Sequence, residues 1–311
     1  MPIPNTNEEA AKPDRVALAG IFLIPLIWGI GFPLTHNAVS RIDPGLYAFL
    51  RSLVALLVLL PFALPAVLKA NRRTVMGGMV LGFFSALNIL GQSYALSYVS
   101  SATAAFLVSL NIVFIPFALY LLGLGAPSRT DLWSVVIGLL GAYIILGPTF
   151  GNFSIGYLWG ALAAFAIAMT ISTIGKLTAG TVVINRLALS FYQILFGMLP
   201  MLYFPLTKSW APVVEGQVIV AVLFMGVFST ALAMYLQTRF QQRVGGTRTS
   251  LIFNLDLVFA GLFGLINKEA LSMSQIVGGS VIFLASMVEP LAGLLKKKFG
   301  RHQPVPDRCP T

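Results

Sequence analysis

Ten stretches of this chain are each long and apolar enough to cross a lipid bilayer, and this limits the fold more than any other feature. They run roughly over 16–37, 44–68, 74–97, 102–123, 131–148, 155–175, 185–206, 216–240, 249–267 and 274–295. A crossing helix needs about 20 apolar residues. Strands of a membrane barrel would instead show two-residue alternation over about ten positions, and no such pattern is visible. Connections are short and carry Pro, Gly, Asn or charge, as in RIDPG (41–45), GAPSRT (125–130) and GPTFGN (147–152). Only 10% of the 311 residues are charged and 57% are hydrophobic, whereas a soluble domain carries about 25% charge. Mean hydropathy is +0.87. The expectation is an all-α membrane protein of ten transmembrane helices. The first fifteen residues, MPIPNTNEEAAKPDR, are polar and include three acids. They have neither the basic start nor the small-residue cleavage site of a secretory signal, so the first apolar run is expected to be retained.

The formal charge of +10 would suggest nucleic acid on a soluble protein. Here its placement argues for topology. With the N-terminus cytoplasmic, sixteen of the 20 Lys and Arg residues fall on inside segments. The outside loops hold Arg41, Lys208 and Lys268, and Arg51 lies within the second span. This is the positive-inside bias. It puts both termini in the cytoplasm and assigns the basic residues to orientation and anionic lipid contact, leaving no nucleic-acid role. Cys309, the single cysteine, cannot form an internal disulfide, and no Cys/His spacing suits a metal. No Walker loop is present, so ATP is not a direct energy source. No cofactor is expected.

The chain also repeats itself. At an offset of 145, AAFLVSLNIVF (104–114) lies over TSLIFNLDLVF (249–259), with Asn111 on Asp256 and Phe114 on Phe259. The same offset upstream sets Ser85 on Thr230 and Gln92 on Gln237. The repeat unit is five spans, an odd number, so the second copy must enter from the opposite side. That yields two inverted five-helix repeats, an arrangement whose substrate site sits between the halves near the midplane. The segments are a polar N-terminal tail (1–15), a first repeat (16–148), a second repeat (155–295) and a basic C-terminal tail (296–311).

Over residues 16–295 the chain resembles the drug/metabolite transporter superfamily, specifically its ten-span EamA-type permeases. The resemblance rests on LIWGIGF (26–32), LRSLVALLVLLP (50–61), YALSYVSSATAAFLVSLNIVFIPF (94–117) and LDLVFAGLFGLINKEALS (255–272). There are departures. The Gly-Glu pair that usually ends the fourth and ninth spans is represented only by Glu269, preceded by Lys268, and by the acid-free LGLGAPS (122–128). Ile112 and Leu257 stand where the family usually has proline. The resemblance implies a secondary transporter of amino acids or related metabolites, most often exported, in the plasma (inner) membrane of a bacterium.

Polar residues inside spans are the candidate site. A charge near the bilayer centre is costly and faces the bundle interior or a wet cavity. Asp256 could bind a cationic group of the substrate or carry a coupling proton, since a buried carboxyl resists ionising; otherwise it is structural glue. Its repeat mate Asn111 either lines the cavity or makes an interhelical hydrogen bond. Ser85, Asn88 and Gln92 share one helical face, and Thr230, Gln237 and Gln241 share another. Such faces line either a helix contact or a cavity, and their symmetry favours the cavity, with Gln241 near the cytoplasmic end alternatively only wet. Tyr94 and Tyr235 could stack on a substrate or be ordinary interfacial tyrosines. Arg51 resembles the family's frequent Arg in span two and could meet a carboxylate substrate; it is expected to snorkel outward or pair structurally. Trp28 opens the WGIGF segment; Gly29 and Gly31 permit close helix approach or a bend, and with Pro25 and Pro33 they suit either a flexible, broken first helix acting as a gate or simple packing. His36 is expected to be solvated, and Glu289 to pair with the Lys296–Lys298 run.

Taken together, these features favour a secondary transporter of small polar metabolites working by alternating access, coupled to protons or exchange. A channel or lipid scramblase would want a continuous polar stripe, whereas these residues cluster at mid-depth. An intramembrane enzyme would want paired acids or a Ser/His pair at depth, and neither is visible. Oligomeric state and substrate identity are not readable from the sequence.

Overall fold

A computed structural model describes residues 14–146, 153–178, 184–266 and 271–300, with the backbone alone at 246, 247, 250, 266 and 289–300. Lys268, Glu269, Cys309, nearly all of the N-terminal tail and the end of the C-terminal tail lie outside the described residues. So does the Glu289 side chain with its expected lysine partners.

Polar residues in the connections start the helices. α1 (Arg15–Val39) is capped by Asp14, whose carboxylate accepts from the Ala17 N–H at 3.1 Å. α2 (Pro44–Val67) begins behind Asp43, which accepts from the N–H groups of Gly45 and Leu46, with Pro44 in the first turn where its missing N–H costs nothing. Asn71 caps α3 (Arg72–Tyr98) and Ser100 caps α4 (Ser101–Ser109). Then come α5 (Asn111–Leu121), α6 (Arg129–Leu146), α7 (Ile155–Thr178) and α8 (Arg186–Met198), the last capped by Asn185. A 3₁₀ turn leads into the short α9 (Tyr203–Thr207). α10 (Gly216–Phe224) passes through a π-helical stretch (Met225–Leu232) into α11 (Ala233–Val244). α12 (Gly246–Phe253), α13 (Asp256–Ile266) and α14 (Met273–Gly300) complete the chain. No strand occurs among the described residues.

Among the described residues, eight helical segments are long and apolar enough to cross a membrane, from Arg15–Val39 to Gly216–Val244. Two shorter apolar stretches, Leu251–Leu265 and Met273–Val288, follow them. Large apolar side chains stand exposed along the outer faces, among them Leu57, Phe62 and Leu64 on α2 and Leu139, Leu140 and Tyr143 on α6. A surface this apolar is stable against acyl chains and not against water. The protein is a multi-pass integral membrane protein.

The sequence led us to expect a first helix broken by its prolines, and here the structure differs. α1 is continuous through Pro25 and Pro33, because helix neighbours in lipid tolerate the freed backbone groups. The breaks fall elsewhere, in the two repeat-related spans. Between α4 and α5 the Leu110 N–H bonds the Leu107 carbonyl, and between α12 and α13 the Leu255 N–H bonds the Ile252 carbonyl. Both are tight i to i−3 turns, and Leu110 and Leu255 are 145 residues apart.

Helix contacts obey the same exchange of halves. α3 packs on α7, and its counterpart in the other half, α11, packs on α1. α3 also packs on α8, matched by the π-helical stretch on α2. α13 packs on α1, matched by α5 and α4 on α7. α2 with α8 and α6 with α14 pair across the exchange itself. The contact set thus maps onto itself when the repeats are swapped, as two copies of one five-helix unit require. The largest hydrophobic core lies where α1, α2, α3, α7, α10 and α11 meet.

Candidate functional site

Trp28 lies at the centre of the bundle between two cavities that both use it as wall. One, of about 30 Å³, is bordered by Ser85, Asn88, Thr170, Gln193 and Gln237. The other, of about 10 Å³, is bordered by Gly31, Thr35, Gln92 and Ser229. Trp28 is pinned between them. Its Nε1–H donates to the Ser229 carbonyl at 3.3 Å, and its ring meets the edge of Phe253 at 4.9 Å between centroids. Both cavities draw polar groups from both halves of the chain.

Hydrogen bonds across the halves reproduce the repeat. The Gln193 Nε2–H donates to Ser85 Oγ at 2.7 Å. At the related place, Arg51 Nε and Nη2 donate to Thr230 Oγ1 at 3.2 and 3.1 Å, and Nη2 also donates to Ser229 Oγ. Ser85 and Thr230 are the residues that the 145-residue offset pairs. Arg51 is only 3% exposed. The expected outward snorkel is therefore wrong, because α2 packs against the π-helical stretch at this depth and encloses the guanidinium.

At the two helix breaks a third polar cluster forms. Asp256 is the first residue of α13 and Asn111 the first of α5. Asp256 thus lies at a half-helix N-terminus. It is 4% exposed and its Oδ1 accepts from Ser109 Oγ at 3.4 Å. Asn111 Nδ2 donates to the Val108 carbonyl and to Asn254 Oδ1. This cluster lies outside the lining of both Trp28 cavities, a step along Phe253 from Trp28. The acid faces the bundle and not the lipid.

The sequence profile of the EamA-like transporter family matches residues 15–147 and again 154–288. This chain belongs to the EamA-like transporter family. It is 27% identical over 276 residues to an "Uncharacterized transporter" of Archaeoglobus fulgidus, covering 88% of this chain and 85% of that one. It is 25% identical over 270 residues to an "Uncharacterized transporter" of Clostridium kluyveri, covering 80% and 84%. A solved crystal structure shares the fold with a TM-score of 0.66 at 18% identity, over 90% of this chain and 97% of that one.

The remaining candidates of this EamA-like transporter divide by location. Ser85, Asn88, Gln92 and Gln237 border the cavities, and Asn88 Nδ2 also donates to the Ala163 carbonyl. Thr230 is fully buried against Arg51. Tyr94 stacks on Trp159 at 4.9 Å. Tyr235 turns away toward Arg239, whose Nη1–H donates to its hydroxyl at 2.6 Å, because the next helical turn supplies a cation near the surface. Gln241 is not wet. It accepts from Gln237 and donates to the Ile171 carbonyl, tying α11 to α7. His36 is bonded and not simply solvated, its Nδ1–H donating to the Leu96 carbonyl at 2.8 Å. Gly29 and Gly31 serve close approach: a Cβ at Gly29 would meet Phe259 Cβ at 2.3 Å, and one at Gly31 would meet Met225 Sδ at 2.6 Å. Pro33 is buried inside the continuous α1. Thr35, Thr170, Gln193 and Ser229 border the cavities without having been singled out in the sequence, and Gln193 had only its span-seven position opposite Arg51 to mark it.

Proposed function

We propose that this EamA-like transporter moves a small polar metabolite, an amino acid or related compound, across the plasma membrane of a bacterium by alternating access. The observation that carries the reading is the pair of polar cavities separated by Trp28. Each is walled by both repeats, and both abut Trp28. Rocking of one half against the other would open one cavity as the second closes. In this scheme the ten spans leave both termini in the cytoplasm, and Gly29, Gly31 and Pro33 set how closely α1 approaches its neighbours as it moves. Asp256 and Asn111, at the half-helix starts, are placed to answer α1 motion through Phe253 and Phe259. Asp256 is the proposed carrier of a coupling proton, and the direction is export.

Counterflow in proteoliposomes tests this. Purified protein preloaded with unlabelled amino acids should accumulate the labelled compound transiently and saturably, and an imposed pH gradient should change the rate. Flux that fails to saturate would point to a channel and defeat the scheme. A rate indifferent to the gradient would remove the proton.

A further inference from the structure

Among the residues whose side chains are described, Arg51 has no counter-ion, and each acid is engaged elsewhere: Asp14 with Arg243, Asp43 with Lys208, Glu215 with Arg41, Asp131 in its own helix start, and Asp256 with Ser109. Arg51 has only two neutral hydroxyls, Ser229 Oγ and Thr230 Oγ1, and its Nη1 is buried with no hydrogen-bond partner. A buried cation without an anion is costly. A guanidinium is shaped for two parallel bonds to a carboxylate; here Nη1 is unused, and a bidentate carboxylate would take it together with the Nη2–H now given to Ser229 Oγ. Both hydroxyls belong to the π-helical stretch, a strained form of helix that often marks functional positions. Ser229 itself borders the smaller Trp28 cavity and receives the Trp28 N–H on its carbonyl. The repeat-related position carries the neutral Gln193, so the charge belongs to one half only.

We propose that Arg51 is the anchor for an anionic group of the transported substrate, and that the group is a carboxylate. The inference rests on the transporter reading and names its substrate class. One monoanion matches one guanidinium. A phosphate dianion would need a second cation, and Arg51 is the one Lys or Arg buried in the core among the described residues. Entry of the carboxylate through the Ser229 wall would replace the hydroxyls of the π-helical stretch as acceptors of the guanidinium.

The test compares chemical relatives in proteoliposomes bearing the full chain. Labelled L-amino acids, their decarboxylated amines, their deaminated acids and a set of phosphomonoesters are each offered in counterflow. Amino acids and deaminated acids should exchange and the amines should not. Arg51→Gln should raise KM for the carboxylates ~10-fold or more, the loss expected for a charge-assisted hydrogen bond. Arg51→Lys, which keeps charge but loses the fork, should fall between. Amines exchanging as well as amino acids, or an unchanged KM in Arg51→Gln, would overturn the Arg51 role and leave the transporter standing. Preferential exchange of phosphomonoesters would overturn the carboxylate. Exchange of none of these compounds would overturn both readings. The analogue comparison needs only unmodified protein, so it decides even if a variant fails to fold.

Discussion

Trp28 illustrates how one side chain can hold two cavities apart. Its ring is fixed by Phe253 and its N–H by the Ser229 carbonyl. Trp28→Phe keeps much of the ring and removes the bond. We expect a several-fold rise in KM with little change in melting temperature, read by counterflow and by thermal unfolding in detergent. Ser85→Ala has a different signature. It strands the Gln193 amide, whose Oε1 is already unpartnered, and a buried donor left unmade costs about 1–3 kcal/mol. The check is a lowered melting temperature. Asp256→Asn keeps the shape of the cluster and removes the charge, so transport should fall or lose its response to a pH gradient while the protein still folds. Wild-type rates and gradient response in that variant would return Asp256 to a packing role. At this scale the sequence was a good guide wherever a polar residue sat deep in an apolar run, because lipid leaves such a group few places to go. It left Arg51, Tyr235 and Gln241 open between alternatives. Whether a long side chain reaches outward or inward depends on which neighbour lies beside it, and that neighbour is distant in sequence.

Helix breaks, and not proline kinks, are the main departure from regular structure. Leu110 and Leu255 end the first half of their spans with equivalent turns and place Asn111 and Asp256 at the starts of the second halves. Neither break announces itself with Gly or Pro, so local propensity alone does not reveal it; the repeat alignment did mark the positions. Close packing decides how α1 sits beside α13. Gly29→Ala would place a methyl group 2.3 Å from Phe259 Cβ and 3.0 Å from its backbone carbonyl carbon. The backbone cannot yield, and overpacking of this kind costs about 1–3 kcal/mol. Gly175 on α7 has open space around its Cβ position. Gly175→Ala should therefore be neutral or slightly stabilising, since alanine is the better helix former. A melting temperature for Gly29→Ala equal to that of Gly175→Ala would contradict the tight α1–α13 contact.

Across the whole molecule, the exchange of halves links the helix contacts, the Arg51–Thr230 and Gln193–Ser85 bonds, and the two breaks. The proposed orientation is open to a direct check. In a Cys309→Ser background, single cysteines at Lys208 and Arg129 should react with a membrane-impermeant maleimide from opposite sides, with the Arg129 position facing the cytoplasm. Labelling from one side would refute the inverted arrangement. Sequence by itself was enough to establish the membrane as the solvent, helices as the secondary structure and two copies of one unit as the plan. Apolar run length and internal repetition are local properties, and the bilayer punishes any other solution. Only the tertiary structure decided that Trp28 divides the interior, that Arg51 is enclosed without an anion, and that Asp256 starts a half-helix beside Ser109. Each depends on which faces of distant helices meet, and apolar patterning cannot specify that, because in a largely apolar bundle nearly every face is compatible with burial.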